Sequence, residues 1–163
     1  PTTGLRFFTV YGPWDRPDMA FQKFTKSILA GEKISVFNYG KHKRDFTYID
    51  DIIEAIIRVI DKPANSNKNW DSSFPDPGSS HAPWRIYNIG NSSPIELLDY
   101  IKAIENSLGL KANLNFSPLQ PGDVIDTYAD IEGLAMDFNY SPSTPIKAGI
   151  SKSVNWYKDY YKI

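Results

Sequence analysis

Apolar and polar positions divide this chain into short extended runs alternating with amphipathic stretches. Residues 4–11 combine aromatic and β-branched side chains and stop at Gly12-Pro13, predicting a buried strand that ends in a turn. From Arg16 to Gly31 the residues Phe21, Phe24, Ile28 and Leu29 form one apolar stripe, predicting a helix closed by a left-handed Gly31. A short strand over Ile34 to Phe37, a polar turn over Tyr39 to Lys43 and a second extended run over Arg44 to Ile49 follow. Asp50 is then expected to cap a helix that turns Ile52, Ile53, Ile56, Ile57 and Ile60 inward and leaves a Glu54–Arg58 pair in solvent.

Residues 62–83 are rich in Asn, Ser, Asp, Pro and Gly and lack periodicity, so they predict a long surface loop, either a mobile lid or a variable insertion. A strand over Arg85 to Gly90 comes next. Ser93-Pro94-Ile95-Glu96 has the form of a capping box, opening a helix that carries Leu97, Leu98, Ile101, Ile104 and Leu108 and closes at Gly109. A strand over Ala112 to Phe116, a turn-rich loop over Gln120 to Asp126, a short helix over Asp130 to Asp137 and a helix over Ser151 to Tyr161 complete the pattern. Strands alternating with helices predict an α/β chain without internal repeats.

Composition narrows the function. A chain of 163 residues can build its own core, and with no cysteine it has no disulfide or thiolate metal site. Two histidines 39 positions apart make a histidine zinc site an unpromising reading. Lys plus Arg (18) balance Asp plus Glu (19), so no global field favours nucleic acid. With neither an 18-residue apolar run nor a signal peptide pattern, we expect no membrane partner and a cytoplasmic location. The chain opens at Pro1 and passes at once into a β-rich run, which predicts a piece of a longer polypeptide.

Local chemistry is sparse. Tyr39 and Lys43 have Tyr-x-x-x-Lys spacing, but Gly40 lies between them in a stretch without helical period, which favours a turn over an acid/base dyad. Lys41, His42, Lys43 and Arg44 form a positive cluster: a charged hairpin tip, a nucleic-acid patch, or an arginine held at a strand end to face a phosphate. Thr9, Tyr11, Gly12, Pro13 and Arg16 follow the first strand, where ligands of open parallel sheets bind. Asp50 and Asp51 are adjacent and point apart, which disfavours a paired-carboxylate site.

Taken in order, Leu5 to Trp14, Arg16-Pro17-Asp18-Met19-Ala20, Arg44 to Ile52, Tyr87-Asn88-Ile89-Gly90, Gln120 to Val124 and Trp156-Tyr157 resemble the C-terminal half of extended short-chain dehydrogenase/reductase sugar-nucleotide epimerases. The resemblance is nearest to the UDP-glucuronate 4-epimerase branch. It implies the substrate-binding part of an α/β enzyme, residues 1–163, whose strands complete a Rossmann-type sheet. NAD would be bound mainly by an N-terminal half of the same polypeptide. It also implies roles: Arg44 on the diphosphate, Ser35 and Phe37 at the uracil, Asp123 on the ribose, and Gln120 where related epimerases carry a second arginine. Thr9 and Arg16 would lie beside the sugar, and Phe7 and Phe8 behind the nicotinamide. Asp15 stands where the branch usually has glycine, a carboxylate placed to pair with Arg16. The glycine-rich dinucleotide turn and the catalytic Tyr-x-x-x-Lys of the family lie upstream, so this chain is expected to hold no catalytic residue. The alternatives are a dehydratase or decarboxylase of the same family, a non-catalytic nucleotide-sugar-binding module, and a fragment that binds nothing alone.

Overall fold

The computed structural model describes all 163 residues. Eight strands and five helices follow in the order β1 (Thr2–Phe7), β2 (Thr9–Tyr11), α1 (Ala20–Ala30), β3 (Lys33–Val36), β4 (Lys43–Arg44), β5 (Phe46–Tyr48), α2 (Ile49–Ile60), β6 (Trp84–Ile89), β7 (Ile95–Glu96), α3 (Leu97–Leu108), β8 (Asn113–Phe116), α4 (Glu132–Phe138) and α5 (Ile146–Tyr161). The strands pair two by two. β1–β6, β2–β5 and β3–β8 are parallel, and β4–β7 is antiparallel. The predicted α/β class holds.

The single strand expected over residues 4–11 is two. Phe8 still donates its amide to Ile89 O at 3.1 Å, whereas Thr9 lies opposite Phe46, so the chain leaves one partner and joins another within a residue.

A large core joins β2, β3 and β5 to α1, α3 and α5. Phe46 stacks on Tyr100 at 3.8 Å, and Tyr11 meets both rings edge-on. Tyr11 reaches this position because α5 has glycine at 149, where a Cβ would sit 2.0 Å from the tyrosine oxygen. A smaller core, Ile52, Ala55, Val59, Tyr87, Ile89 and Leu134, joins α2, β6 and α4.

Helix starts differ from expectation at two places. Tyr48, not Asp50, is the N-cap residue of α2; Asp50 lies in the first turn, where its charge suits the positive end of the helix. Ser93 to Glu96 form no capping box: Ile95 and Glu96 pair with β4, and α3 begins at Leu97. On α2 the inward residues are Ile52, Ala55 and Val59, while Ile53, Ile57 and Ile60 are exposed. Helices α1 and α3 do close on left-handed Gly31 and Gly109, and α5 starts five residues earlier than predicted.

The loop between α2 and β6 is anchored to itself and to the sheet. Asn67 bonds Ser80 O through its amide and Ser79 Oγ through its side chain, and Asp76 accepts from Gly78 N. Ile86 N donates to Gly78 O at 2.9 Å, and Ser79 bridges Arg85 antiparallel, so the loop lies along the outer edge of β6.

Candidate functional site

A cleft of about 720 Å³ opens beside the large core, a size suited to a nucleotide-sized ligand. Thr9 of β2, Ser35 of β3, Phe37, Arg44 of β4 and Asp123 line it, together with His42, Lys23 and Lys33. These side chains come from segments more than a hundred residues apart. What gathers them is the strand pairing: β4 is held on one side by β7, and on the other the 125–127 segment runs parallel to Lys43. Lys43 N donates to Ile125 O and Thr127 N to Lys43 O, which brings Asp123 back over Arg44.

Arg44 is held firmly. Nη1 donates to Lys43 O at 3.0 Å and to Ile125 O at 2.8 Å, and Nη2 donates to Asp123 Oδ1 at 3.0 Å. Its side chain is 20 % exposed, enough for a ligand to reach a planar donor already oriented by two carbonyls.

The remaining predicted positions fall elsewhere. Gln120 is exposed and outside the cleft lining, on the turn that leads to Asp123. Arg16 is exposed and pairs with Asp18 at 3.2 Å. Asp15 does not take its guanidinium; it accepts from the Arg16 backbone amide, and its second oxygen is buried without a partner. Burial pushes the Asp15 carboxyl up to about 6, against the opposing pull of the Arg16 amide and charge. Phe7, half exposed, ends β1, and Phe8 sits at the strand exchange; neither lines the cleft. Tyr39 has a left-handed backbone and shares no helix with Lys43, which removes the dyad reading. Asp50 and Asp51 do point apart, Asp51 accepting two hydrogen bonds from Thr144 and Asp50 facing Lys152.

Two functional candidates escaped the sequence reading. His42 is 4 % exposed at the back of the cleft, although its neighbours in sequence read as a solvated tip. Asp45 is fully buried, and its carboxylate accepts from Asn91 N, Ser92 N and Ala129 N at 2.9–3.0 Å. A charged residue heading an otherwise apolar strand was the available signal for it.

The chain's own residues do not form a dinucleotide cradle. None of the ten glycines forms the spaced triplet that lets a backbone approach a pyrophosphate, and Phe7 and Phe8 offer apolar surface only. No group of three or more potential metal ligands comes together, and no helix is long and apolar enough to cross a membrane.

Against known families, the model for the NAD dependent epimerase/dehydratase family matches residues 1–90. The chain belongs to that family. Protein CapI of Staphylococcus aureus is 57% identical over 162 residues, covering 99% of this chain and 48% of the relative. The probable UDP-glucuronate 4-epimerase of Rhizobium meliloti is 40% identical over 163 residues, again 99% of this chain and 48% of the relative. The structure of UDP-glucuronic acid 4-epimerase from Bacillus cereus in complex with UDP-glucuronic acid and NAD superposes with a TM-score of 0.78 at 32% identity, covering 96% of this chain and 45% of that one. This member of the family thus spans about half the length of the curated relatives it matches.

Proposed function

We propose that this chain is the nucleotide-sugar-binding portion of an NAD-dependent epimerase that converts UDP-glucuronate to UDP-galacturonate. The observation that carries the reading is the cleft, in which Thr9, Ser35, Phe37, Arg44 and Asp123 meet although they are far apart in sequence. Relatives named as UDP-glucuronate 4-epimerases support the choice of sugar.

Epimerisation at carbon 4 through a ketone requires the sugar ring to turn over between hydride removal and return, chemistry that NAD supplies. The nucleotide must therefore be gripped and the sugar held loosely. Arg44 provides the grip on the diphosphate, Phe37 an apolar wall for the uracil, Ser35 polar contacts at the base and Asp123 an acceptor for the ribose hydroxyls. Thr9 faces the sugar end as a neutral partner, and a fixed cation there would oppose rotation. Arg16, Gln120, Phe7 and Phe8 belong to this reading as outlying contacts, Arg16 and Gln120 toward the ligand and the phenylalanines toward the nicotinamide.

The test is calorimetric titration of UDP into the intact polypeptide. Arg44→Ala should weaken binding about 10- to 100-fold, the effect of losing one charge-assisted contact; unchanged affinity would falsify the diphosphate assignment. Product analysis by NMR with UDP-glucuronate separates epimerisation from dehydration, which the family also includes. The 163-residue chain alone should show no turnover with added NAD.

A further inference from the structure

The ring of His42 is buried behind the two charged groups of the cleft and is not among the residues assigned above to the ligand. Its backbone oxygen accepts from Leu97 N at 2.9 Å, which fixes the residue against the start of α3. Nδ1 faces Ile125 O at 3.3 Å, and Nε2 faces Asp123 Oδ2 at 3.3 Å. The second contact has the length of an ion pair but not the alignment of a hydrogen bond: Nε2 is fully buried and otherwise unpartnered. Both groups in front of the ring only accept protons, and a neutral imidazole donates from one nitrogen alone; the tautomer with its proton on Nε2 aims a donor at Asp123.

Arg44 and Asp123 are at present paired with each other through Nη2 and Oδ1. With both Nη1 hydrogens spent on carbonyls, a phosphate drawn to Nη2 would compete with Asp123 for the same end of the guanidinium. A carboxylate 32 % exposed would then share its counter-charge with the phosphate at the moment it is needed to face a hydroxyl. The nearest donor is the immobile Nε2 of His42, a small carboxylate rotation away.

We propose that His42 is a positioning residue for Asp123, taking over the carboxylate when Arg44 turns to the phosphates of a nucleoside diphosphate. The pocket thereby lets one arginine and one carboxylate address different parts of the same ligand instead of neutralising each other. This inference rests on the nucleotide reading above, and its test keeps the two separable.

The experiment titrates UDP into the intact polypeptide and its variants. The amide nitrogen of a glutamine can stand in for Nε2 and that of an asparagine for Nδ1, so His42→Gln should bind UDP within about threefold of wild type. His42→Asn can donate to Ile125 O but cannot reach Asp123, and should bind about tenfold more weakly, as should His42→Phe. In an Asp123→Ala background, His42→Phe should change affinity by less than about twofold, because the group it serves is gone. Equal affinities for His42→Asn and wild type, or fully multiplicative effects of His42→Phe and Asp123→Ala, would overturn the proposal. His42→Asn can still donate to the loop, so the outcome stands even where His42→Phe fails to fold. Failure of wild type to bind UDP overturns the nucleotide reading and this proposal with it, whereas normal wild-type binding with an unaffected His42→Asn overturns this proposal alone.

Discussion

Two carboxylates near the cleft show how differently the same group behaves in different settings. Asp45 is fully buried without a paired cation, yet three backbone amides satisfy it, and it ties the β4–β5 junction to the segments around residues 91 and 129. Removing it leaves those buried amides unsatisfied. Asp45→Ala should lose about 3 kcal/mol or more in urea unfolding, the scale of several hydrogen bonds to a charge. Asp15 is the opposite case, with one buried oxygen and no donor for it. Its carboxyl is raised from 3.8 to about 6, so the folded state holds the proton more tightly than the unfolded state. Stability is then present below pH 4 and is lost as pH rises through about 6. Asp15→Asn should exceed wild type by about 1 kcal/mol at pH 7 after allowance for screening, with the difference vanishing below pH 4. A series of urea titrations across pH checks both the sign and the window. Arg44 and Asp123, which line the cleft, were singled out in the sequence, Arg44 from its place at a strand end and Asp123 from a resemblance carried by several loose motifs in order. His42 was not, since burial here comes from a segment more than eighty residues away folding back over a run of charges.

At the scale of elements, the hydrophobic period located almost every strand and helix but did not reveal what each is packed against. Helix α2 is apolar over more than half its circumference, and the pattern predicted that Ile52, Ile53, Ile56, Ile57 and Ile60 all face inward. Packing within the chain buries the side bearing Ile52, Ala55 and Val59 and partly covers Ile56. Ile53, Ile57 and Ile60 are left in solvent, 47–69 % exposed. Such a face promotes association. The 163-residue chain should show concentration-dependent self-association by sedimentation velocity, and Ile53→Glu with Ile57→Glu should reduce it without lowering the melting temperature; unaltered association would place the sticky surface elsewhere. The exchange of partners between β1 and β2 was invisible for the same reason, because a strand's alternation is indifferent to which neighbour it bonds.

For the molecule as a whole, the α/β class followed from element order, but the division into two cores did not. Phe8 marks the change of strand partner, β6 before it and β5 after it, but the two cores meet within β2: Val10 packs against the smaller core and Tyr11 sits in the larger one. The cleft is built beside the larger core, whereas the exposed isoleucines lie on the helix of the smaller one.

The strap of residues 78 and 79 along β6 gives the β1–β6 pair a direction of growth. One flank is shuttered by an antiparallel segment with its amides already engaged, and the other, along Thr2 to Phe7, still offers a row of free backbone groups. A strand that joins this ribbon, from the same polypeptide or another, meets an obstructed edge at Arg85 and Ile86 and an open one along β1, which favours β1 as the interior strand of an enlarged sheet and β6 as its margin.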